Sequence, residues 1–355
     1  MQSIEVIAPN FSRRLSGVTS TLERILLVQS RLVNIVSIGS GLDGSVPCIR
    51  VRDLLKLRKP PPNAPARVWH ARRNLEMLAG LVLRDILRFP LRLVFTSASQ
   101  RRHTRWTRFL ISRMDALIAT SAATTSYLLY PSTIIGHGID STRFHPTDNS
   151  AKVRATLGLP ELKLVGCFGR IRPSKGTDVF VDAMLRVLAS RPNAGAIVVG
   201  RATGKHVAFL NDLTLKISSA GLNNRLLILP EVRTFEIPNW YRALDLFVAP
   251  QRWEGFGVTP LEAMASGVPV VATTVGAFSE LVTPDTGLLV PPKDVDALAS
   301  AIAEMLDQPH RRAAMGLAGR ERAAKHFSID TEAEQIIQVY RDVLSASKRS
   351  LPLTR

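Results

Sequence analysis

Short apolar runs alternate with helical periodicity from one end of this chain to the other, and the alternation happens twice. In the first half the runs 4–8, 32–38, 66–70, 91–96, 116–119 and 132–135 read as buried strands, with helical spacing at 18–29, 74–88 and 101–114. In the second half the runs 162–168, 195–199, 226–229, 244–249, 268–272 and 287–290 alternate with helices over 177–190, 206–220, 259–265, 295–307 and 310–326. Unbroken apolar runs of this length belong to strands covered on both faces, and strands separated by helices pair in parallel. The expected fold is therefore α/β: two doubly wound Rossmann-like domains, joined near 140–157, where Pro146, Asn149 and Ser150 interrupt the pattern. A chain of 355 residues is long enough for both. Ligands of such folds sit beyond the carboxyl ends of the strands, so the two domains are expected to face a central cleft.

Charge separates the halves. Residues 1–150 carry 21 Lys and Arg against 9 Asp and Glu, a net of +12, while residues 151–355 carry 25 against 20, a net of +5. Between Arg84 and Arg113 eight arginines meet one acid, Asp85. One-signed charge of this density points to an anionic partner for the first half: phospholipid, acidic glycolipid or nucleic acid. Cys48 and Cys167 are too few for a disulfide framework and lie in apolar runs, which suggests a reducing compartment. The N-terminus shows no leader pattern. The uncharged stretch 263–279 holds Gly267, Pro269 and Gly276 and does not read as a membrane span. The expected location is the cytoplasm, peripheral on the inner face of the cytoplasmic membrane.

The chemistry concentrates in the turn 253–262, Trp-Glu-Gly-Phe-Gly-Val-Thr-Pro-Leu-Glu, which follows an apolar strand and opens a helix. Thr259 reads as an N-cap, Pro260 as the first helical residue, and Glu262 as the partner in a T-x-x-E capping box. Such a turn offers amide N–H groups to an anion, with Glu254 just before the site and Glu262 just inside it. A diphosphate held there leaves one carboxylate for a sugar and the other for a ribose. Read blandly, Glu262 is only a capping residue and Glu254 a solvated one.

Three nucleotide-binding readings compete. The stretch 166–170 lacks the G-x-G-x-x-G of a dinucleotide site, and 173–177 places its lysine before its glycine, the wrong order for a P-loop. The third reading is a nucleotide-diphosphate-sugar site. Arg170 ends a strand and Lys175 precedes a helix, so both are able to reach a diphosphate at the 254–262 turn. No acidic cluster accompanies them. Basic side chains and amides would then do what Mg²⁺ does elsewhere, and no metal or other cofactor is expected beside the nucleotide sugar.

These motifs in order resemble the retaining glycosyltransferases of family 4, which have the two-domain GT-B fold. The likeness runs nearly end to end: Phe168-Gly169-Arg170 with Lys175-Gly176, Val199-Gly200, Glu254 through Glu262, Val275-Gly276-Ala277 with Glu280, the segment 287–292, and Gly136-His137-Gly138-Ile139-Asp140 with Phe144 and Pro146. The stretches 7–19, 69–74 and 96–105 are more closely similar to rhizobial-type mannosyltransferases of lipopolysaccharide core assembly. The resemblance implies an acceptor-binding domain over 1–145, a nucleotide-sugar domain over 146–328, and a C-terminal helix within 329–355 packed back on the first domain. It implies that Arg170 and Lys175 bind the donor diphosphate, Glu262 the ribose, and Glu254 the transferred sugar beside the amides of Phe256, Gly257 and Val258. It places Gly200, Arg201 and Val232 near the base, and Gly17 in a first-domain loop facing the phosphates.

Two departures stand out. The first-domain loop has one glycine, with Ser16 before it, where many members have two. The strand end at 95–98 lacks the histidine that many members carry; His103 is expected to take its catalytic place, with His70 among the acceptor-binding residues. Arg72 and Arg73, at a strand's carboxyl end, suit bidentate contact with a carboxylate of the acceptor. Arg101, Arg105 and Arg108 line one side of a helix and are expected to meet the membrane, while Trp106, Phe109, Leu110 and Met114 pack inward. The implied reaction is transfer of a hexose with retention, mannose from GDP-mannose onto an anionic Kdo–lipid A acceptor. A UDP-sugar transferase, a nucleotide-sugar epimerase and a basic nucleic-acid-binding protein are the alternatives. The last two do not account for the whole motif series, so nucleic acid is not an expected partner.

Overall fold

The structure, a computed structural model, describes residues 2–12, 17–39, 42 and 44–346. The chain divides into two compact units, Met1–Gly138 with Ile329–Arg355, and Ile139–Ser328.

The first unit holds seven parallel strands: β1 (Val6–Asn10), β2 (Ile35–Gly39), β3 (Cys48–Ile49), β4 (Arg67–Ala71), β5 (Leu91–Ser97), β6 (Ala116–Ala119) and β7 (Thr133–Ile134). Their order is β3-β2-β1-β4-β5-β6-β7. β1 lies between β2 and β4, with Val6 opposite both Ile35 and Val68, and every residue of β1 is buried. Helix α1 (Gly17–Gln29) follows β1 and packs Leu22, Ile25 and Leu26 onto one face. Helices α2 (Asn74–Leu81) and α3 (Arg105–Ser112) cover the other with Met77, Leu81, Leu110 and Ile111. The helical pattern expected over 74–88 is split: α2 gives way to a π-helical turn at Val82–Ile86, and Arg88 ends it with φ +58°. In α3 the Thr104 hydroxyl accepts from the Thr107 amide, so the helix begins after Arg101 and not at it.

The second unit is a six-stranded parallel sheet of β8 (Lys163–Phe168), β9 (Ala194–Val199), β10 (Leu226–Leu229), β11 (Leu246–Ala249), β12 (Val270–Thr273) and β13 (Gly287–Val290). Its order is β10-β9-β8-β11-β12-β13. Helices Thr177–Ala189 and Val295–Asp307 bury one apolar stripe each against it. Ile139 and Phe144 belong to this unit's core, so the division falls at Gly138 and not near residue 145.

The helix Ile329–Ser345 returns to the first unit. Its residues 329, 333, 336, 337, 340 and 343 fall on one stripe at helical spacing and are buried beside Leu22, Ile25, Val68 and Val94. Each Ile and Val among them contributes about 1.5–3 kcal/mol of burial. Glu332 accepts from the Gly138 amide at 2.8 Å and lies 3.0 Å from His137 Nδ1, pinning the departing chain to the returning helix.

Candidate active site

Strand order reverses once in each sheet, between β1 and β4 and between β8 and β11. At these switch points the loops diverge to opposite faces and leave a crevice at the carboxyl ends. In the second unit the loops after β8 and β11 carry Arg170 with Lys175 and Glu254 with Glu262. Lys175 Nζ pairs with Glu254 Oε2, bringing together residues 79 positions apart. The pair is about one-fifth exposed, at 23% and 17%. Glu254 Oε1 also accepts from the Gly255 amide at 3.1 Å.

Arg252, which the sequence reading passed over, holds these loops together. Its amide donates to Ser174 O at 3.1 Å, while its guanidinium reaches Pro173 O and Asp178 Oδ2, each at 2.6 Å. Gly176 lets them close up: with φ +69° it faces Pro250, and a Cβ there would stand 1.8 Å from Pro250 O. On the other side Gly257 has φ +86°, and a Cβ there would meet the Phe278 ring at 2.3 Å. Among the described residues no group of His, Cys, Asp or Glu is arranged to hold a metal ion. Burial pushes the Cys167 thiol, at the end of β8, up to about 12, so it is no nucleophile at neutral pH.

The capping box does not form. Thr259 is already helical, Val258 stands at the N-cap, and Thr259–Ala265 has no side-chain cap. Pro260 and the main-chain turn set the start of the helix, which leaves the Glu262 carboxylate for another partner. That partner is Tyr241, fully buried among Phe144, Phe168 and Phe247, whose hydroxyl donates to Glu262 Oε2 at 2.9 Å. Phe256 is buried, whereas Gly257 and Val258 are half-exposed. Arg170 is exposed; Arg201 is exposed and lies 3.2 Å from Glu231; Gly200 follows β9, its amide bonded to Leu229 O; Val232 is half-buried.

The first unit differs. His70, expected to touch an acceptor, is fully buried, with Nδ1 2.7 Å from the Tyr340 hydroxyl and Nε2 2.7 Å from that of Thr96. Burial, then the charge of Arg72, hold its imidazole well below the usual range. Burial likewise lowers the pKa of Arg72, which lines a cavity of about 10 Å³ with Thr96, Thr120, His137 and Glu332. That volume holds one water, and Thr120 Oγ1, which has no protein partner, faces the same space. It does not hold a sugar. Arg73 donates to Asn10 Oδ1 (2.8 Å), Glu76 Oε1 (2.8 Å) and Thr19 Oγ1 (2.9 Å), tying β1, α1 and α2 together. The acceptor role expected of His70 is corrected to internal packing, since its ring is enclosed and both nitrogens are bonded; Arg72 and Arg73 are half-exposed, and each bonds Glu76. Gly17 begins α1 and is exposed; Ser16 and the rest of 13–16 lie outside the described residues.

His103 stands in the loop after β5, half-buried, with Nε2 enclosed and without a hydrogen-bond partner among the described residues. Burial, then Arg101, lower its pKa, so it is neutral at pH 7. Arg101, Arg105 and Arg108 are exposed as expected. Leu110 and Met114 face the core, but Trp106 and Phe109 do not: both point outward, about half-exposed and stacked with ring centroids 5.7 Å apart. Thr107, Leu110, Ile111 and Met114 already fill the inner face, so the aromatic pair falls outside it.

Residues 149–322 match the family model described as Glycosyl transferases group 1. The chain is 55% identical to the lipopolysaccharide core biosynthesis mannosyltransferase LpsB of Rhizobium meliloti, over 97% of this chain and 99% of that one. It is 48% identical to LpcC of Rhizobium leguminosarum bv. viciae, which carries the same description, over 98% and 99%. Among solved structures, Anabaena Alr3699/HepE in complex with UDP superposes with a TM-score of 0.82 at 22% identity, covering 96% of this chain and all of that one, a likeness of GT-B fold.

Proposed function

We propose that this chain, which belongs to the group 1 glycosyl transferases, moves mannose from GDP-mannose onto a Kdo–lipid A acceptor in lipopolysaccharide core assembly, with retention at the anomeric carbon. The acceptor class and the sugar follow the relatives' names. The observation that carries the donor site is the Lys175–Glu254 pair at the β8/β11 switch point. Lys175 and Glu254 neutralise each other in this pair. An arriving diphosphate takes the Lys175 ammonium, together with Arg170, and releases the Glu254 carboxylate toward the sugar. As the glycosidic C–O bond breaks, Lys175 and Arg170 stabilise the departing phosphate, and Glu254 stabilises positive charge on the ring without forming a bond. The acceptor hydroxyl attacks on the same face and passes its proton to the leaving phosphate.

Glu262, oriented by Tyr241, holds the ribose. The amides of Phe256, Gly257 and Val258 and the first-unit Gly17 assist the phosphates, and Gly200, Arg201 and Val232 surround the base. His103, neutral with an unbonded nitrogen, contacts the transferred sugar. Because cationic side chains do the neutralising, transfer should persist in EDTA. The enzyme works on the inner face of the cytoplasmic membrane, with Arg101, Arg105 and Arg108 toward anionic lipid. No helix among the described residues is long and apolar enough to cross a bilayer.

The test is product analysis with four combinations: GDP-mannose or UDP-glucose, with Kdo–lipid A or the same lipid lacking Kdo. Mannosylated Kdo–lipid A as the main product supports the reading. Preference for UDP-glucose, or equal use of the Kdo-free lipid, overturns the donor or acceptor assignment respectively.

A further inference from the structure

The outer face of α2, the π-helical turn after it and α3 is out of character for a protein surface. Leu75, Leu78, Val82 and Ile86 recur at intervals of three to four residues and are all exposed, Ile86 by 70%. They form a stripe opposite the buried Met77 and Leu81. The Asn74 side chain donates to Thr107 Oγ1 at 2.8 Å, which ties the start of α2 to the start of α3. Trp106 and Phe109 extend the apolar surface onto α3, half-exposed and stacked. Large apolar side chains gathered on one face mark an interaction site.

The charges around this patch say what covers it. Of the eight arginines between 84 and 113, Arg84, Arg92 and Arg113 are engaged with Asp85 or Asp115. Arg88, Arg101, Arg102, Arg105 and Arg108 are exposed around the apolar residues. An apolar centre with an indole and five exposed arginines, beside an Asp85 already paired with Arg84 and Arg113, complements the acyl boundary and phosphates of an anionic leaflet.

We propose that this face is a bilayer-docking surface in which Trp106 and Phe109, with Leu75, Leu78 and Ile86, enter the interfacial layer of an anionic membrane while the five arginines meet its phosphates. Apolar insertion, beyond the charge attraction assigned to Arg101, Arg105 and Arg108 above, is the new element. The proposal rests on the glycolipid reading only for the purpose of docking, not for the surface itself.

The experiment uses the full chain with vesicles of phosphatidylglycerol and phosphatidylethanolamine, at low and at high salt, and vesicles of phosphatidylcholine as the neutral control. Wild type should bind the anionic vesicles and retain part of that binding at high salt, with tryptophan fluorescence quenched by brominated acyl chains. The double variant Trp106→Ser/Phe109→Ser should lose the salt-resistant part by about tenfold or more. Arg101→Ser/Arg105→Ser/Arg108→Ser should instead lose the low-salt recruitment. Melting temperature and GDP-mannose binding, measured alongside, should stay near wild type in both variants. Unchanged vesicle binding by the aromatic variant at both salts, or absence of quenching in wild type, overturns the proposal. So does loss of a wild-type dimer in the aromatic variant without loss of vesicle binding, because the face would then pair two copies. Failure of GDP-mannose to bind wild type counts against the donor assignment and leaves the docking surface standing.

Discussion

The ends of β1 and β4 and the ends of β8 and β11 occupy the same place in two similar sheets, yet their polar side chains are used differently. At β8 and β11 a lysine and a glutamate from distant loops meet near the surface and, among the described residues, hold each other and one amide. At β1 and β4 the corresponding polar groups are bonded inward: both nitrogens of His70 are bonded, Arg73 donates to Asn10, Glu76 and Thr19, and the space beside Arg72 admits a water. A switch point offers a crevice, but what fills the crevice decides its use. In the first unit the returning helix Ile329–Ser345 brings Tyr340 and Glu332 to it, and α2 brings Glu76.

The comparison is most easily broken at Lys175. Lys175→Ala should reduce transfer by about 10²-fold or more while leaving the fold intact, because the lysine's work is in the departing phosphate. Steady-state kinetics on purified enzyme checks this, and a loss below threefold would remove Lys175 from the site. At the matching place in the first unit the expected effect is on stability. Arg73→Ala leaves the fully buried Glu76 carboxylate short of its cation and should cost about 2–3 kcal/mol. Denaturant titration reads that directly; an enzyme equally stable but unable to bind acceptor would restore Arg73 to the acceptor site.

A smaller effect sharpens the contrast through pH. The His70 pKa is depressed in the folded protein, so the unfolded chain takes up a proton that the native state refuses. Stability from this group is complete above about pH 6.5 and falls as pH drops below it, by up to about 1.4 kcal/mol per pH unit. His70→Gln should flatten that acid limb in melting curves between about pH 6.5 and 5. The smallest effect expected is at Tyr241→Phe, where loss of one hydrogen bond to Glu262 should raise KM for the donor about fivefold with little change in kcat. An equal fall in kcat would place Glu262 at the reacting centre instead.

Much of this molecule was legible in its sequence because parallel strands are apolar throughout and their intervening helices are periodic. The β8 and β11 loops could also be placed, since Arg170, Lys175, Glu254 and Glu262 lie where a strand stops and a helix begins. What escaped reading depended on tertiary partners. Arg252 looks like any basic loop residue until its bonds to Pro173 and Asp178 are seen. Tyr241 reads as an ordinary core aromatic, and its hydroxyl takes the carboxylate that the T-x-x-E pattern assigned to a cap. Arg72 and His70 sit at a strand end that reads as open, because the covering helix comes from more than 250 positions later. Helical periodicity around α3 grouped Trp106 and Phe109 with Leu110 and Met114 as inward-facing, because amphipathicity does not say how many apolar side chains the core has room for.

The central claim is that donor binds at the β8/β11 end and not at the β1/β4 strand end. Hydrogen–deuterium exchange with and without GDP-mannose tests it in one measurement. Amides of residues 169–177 and 252–262 should gain protection, and those of 70–76 should exchange as before. Protection centred on 70–76, with none on the two second-unit loops, would contradict the account.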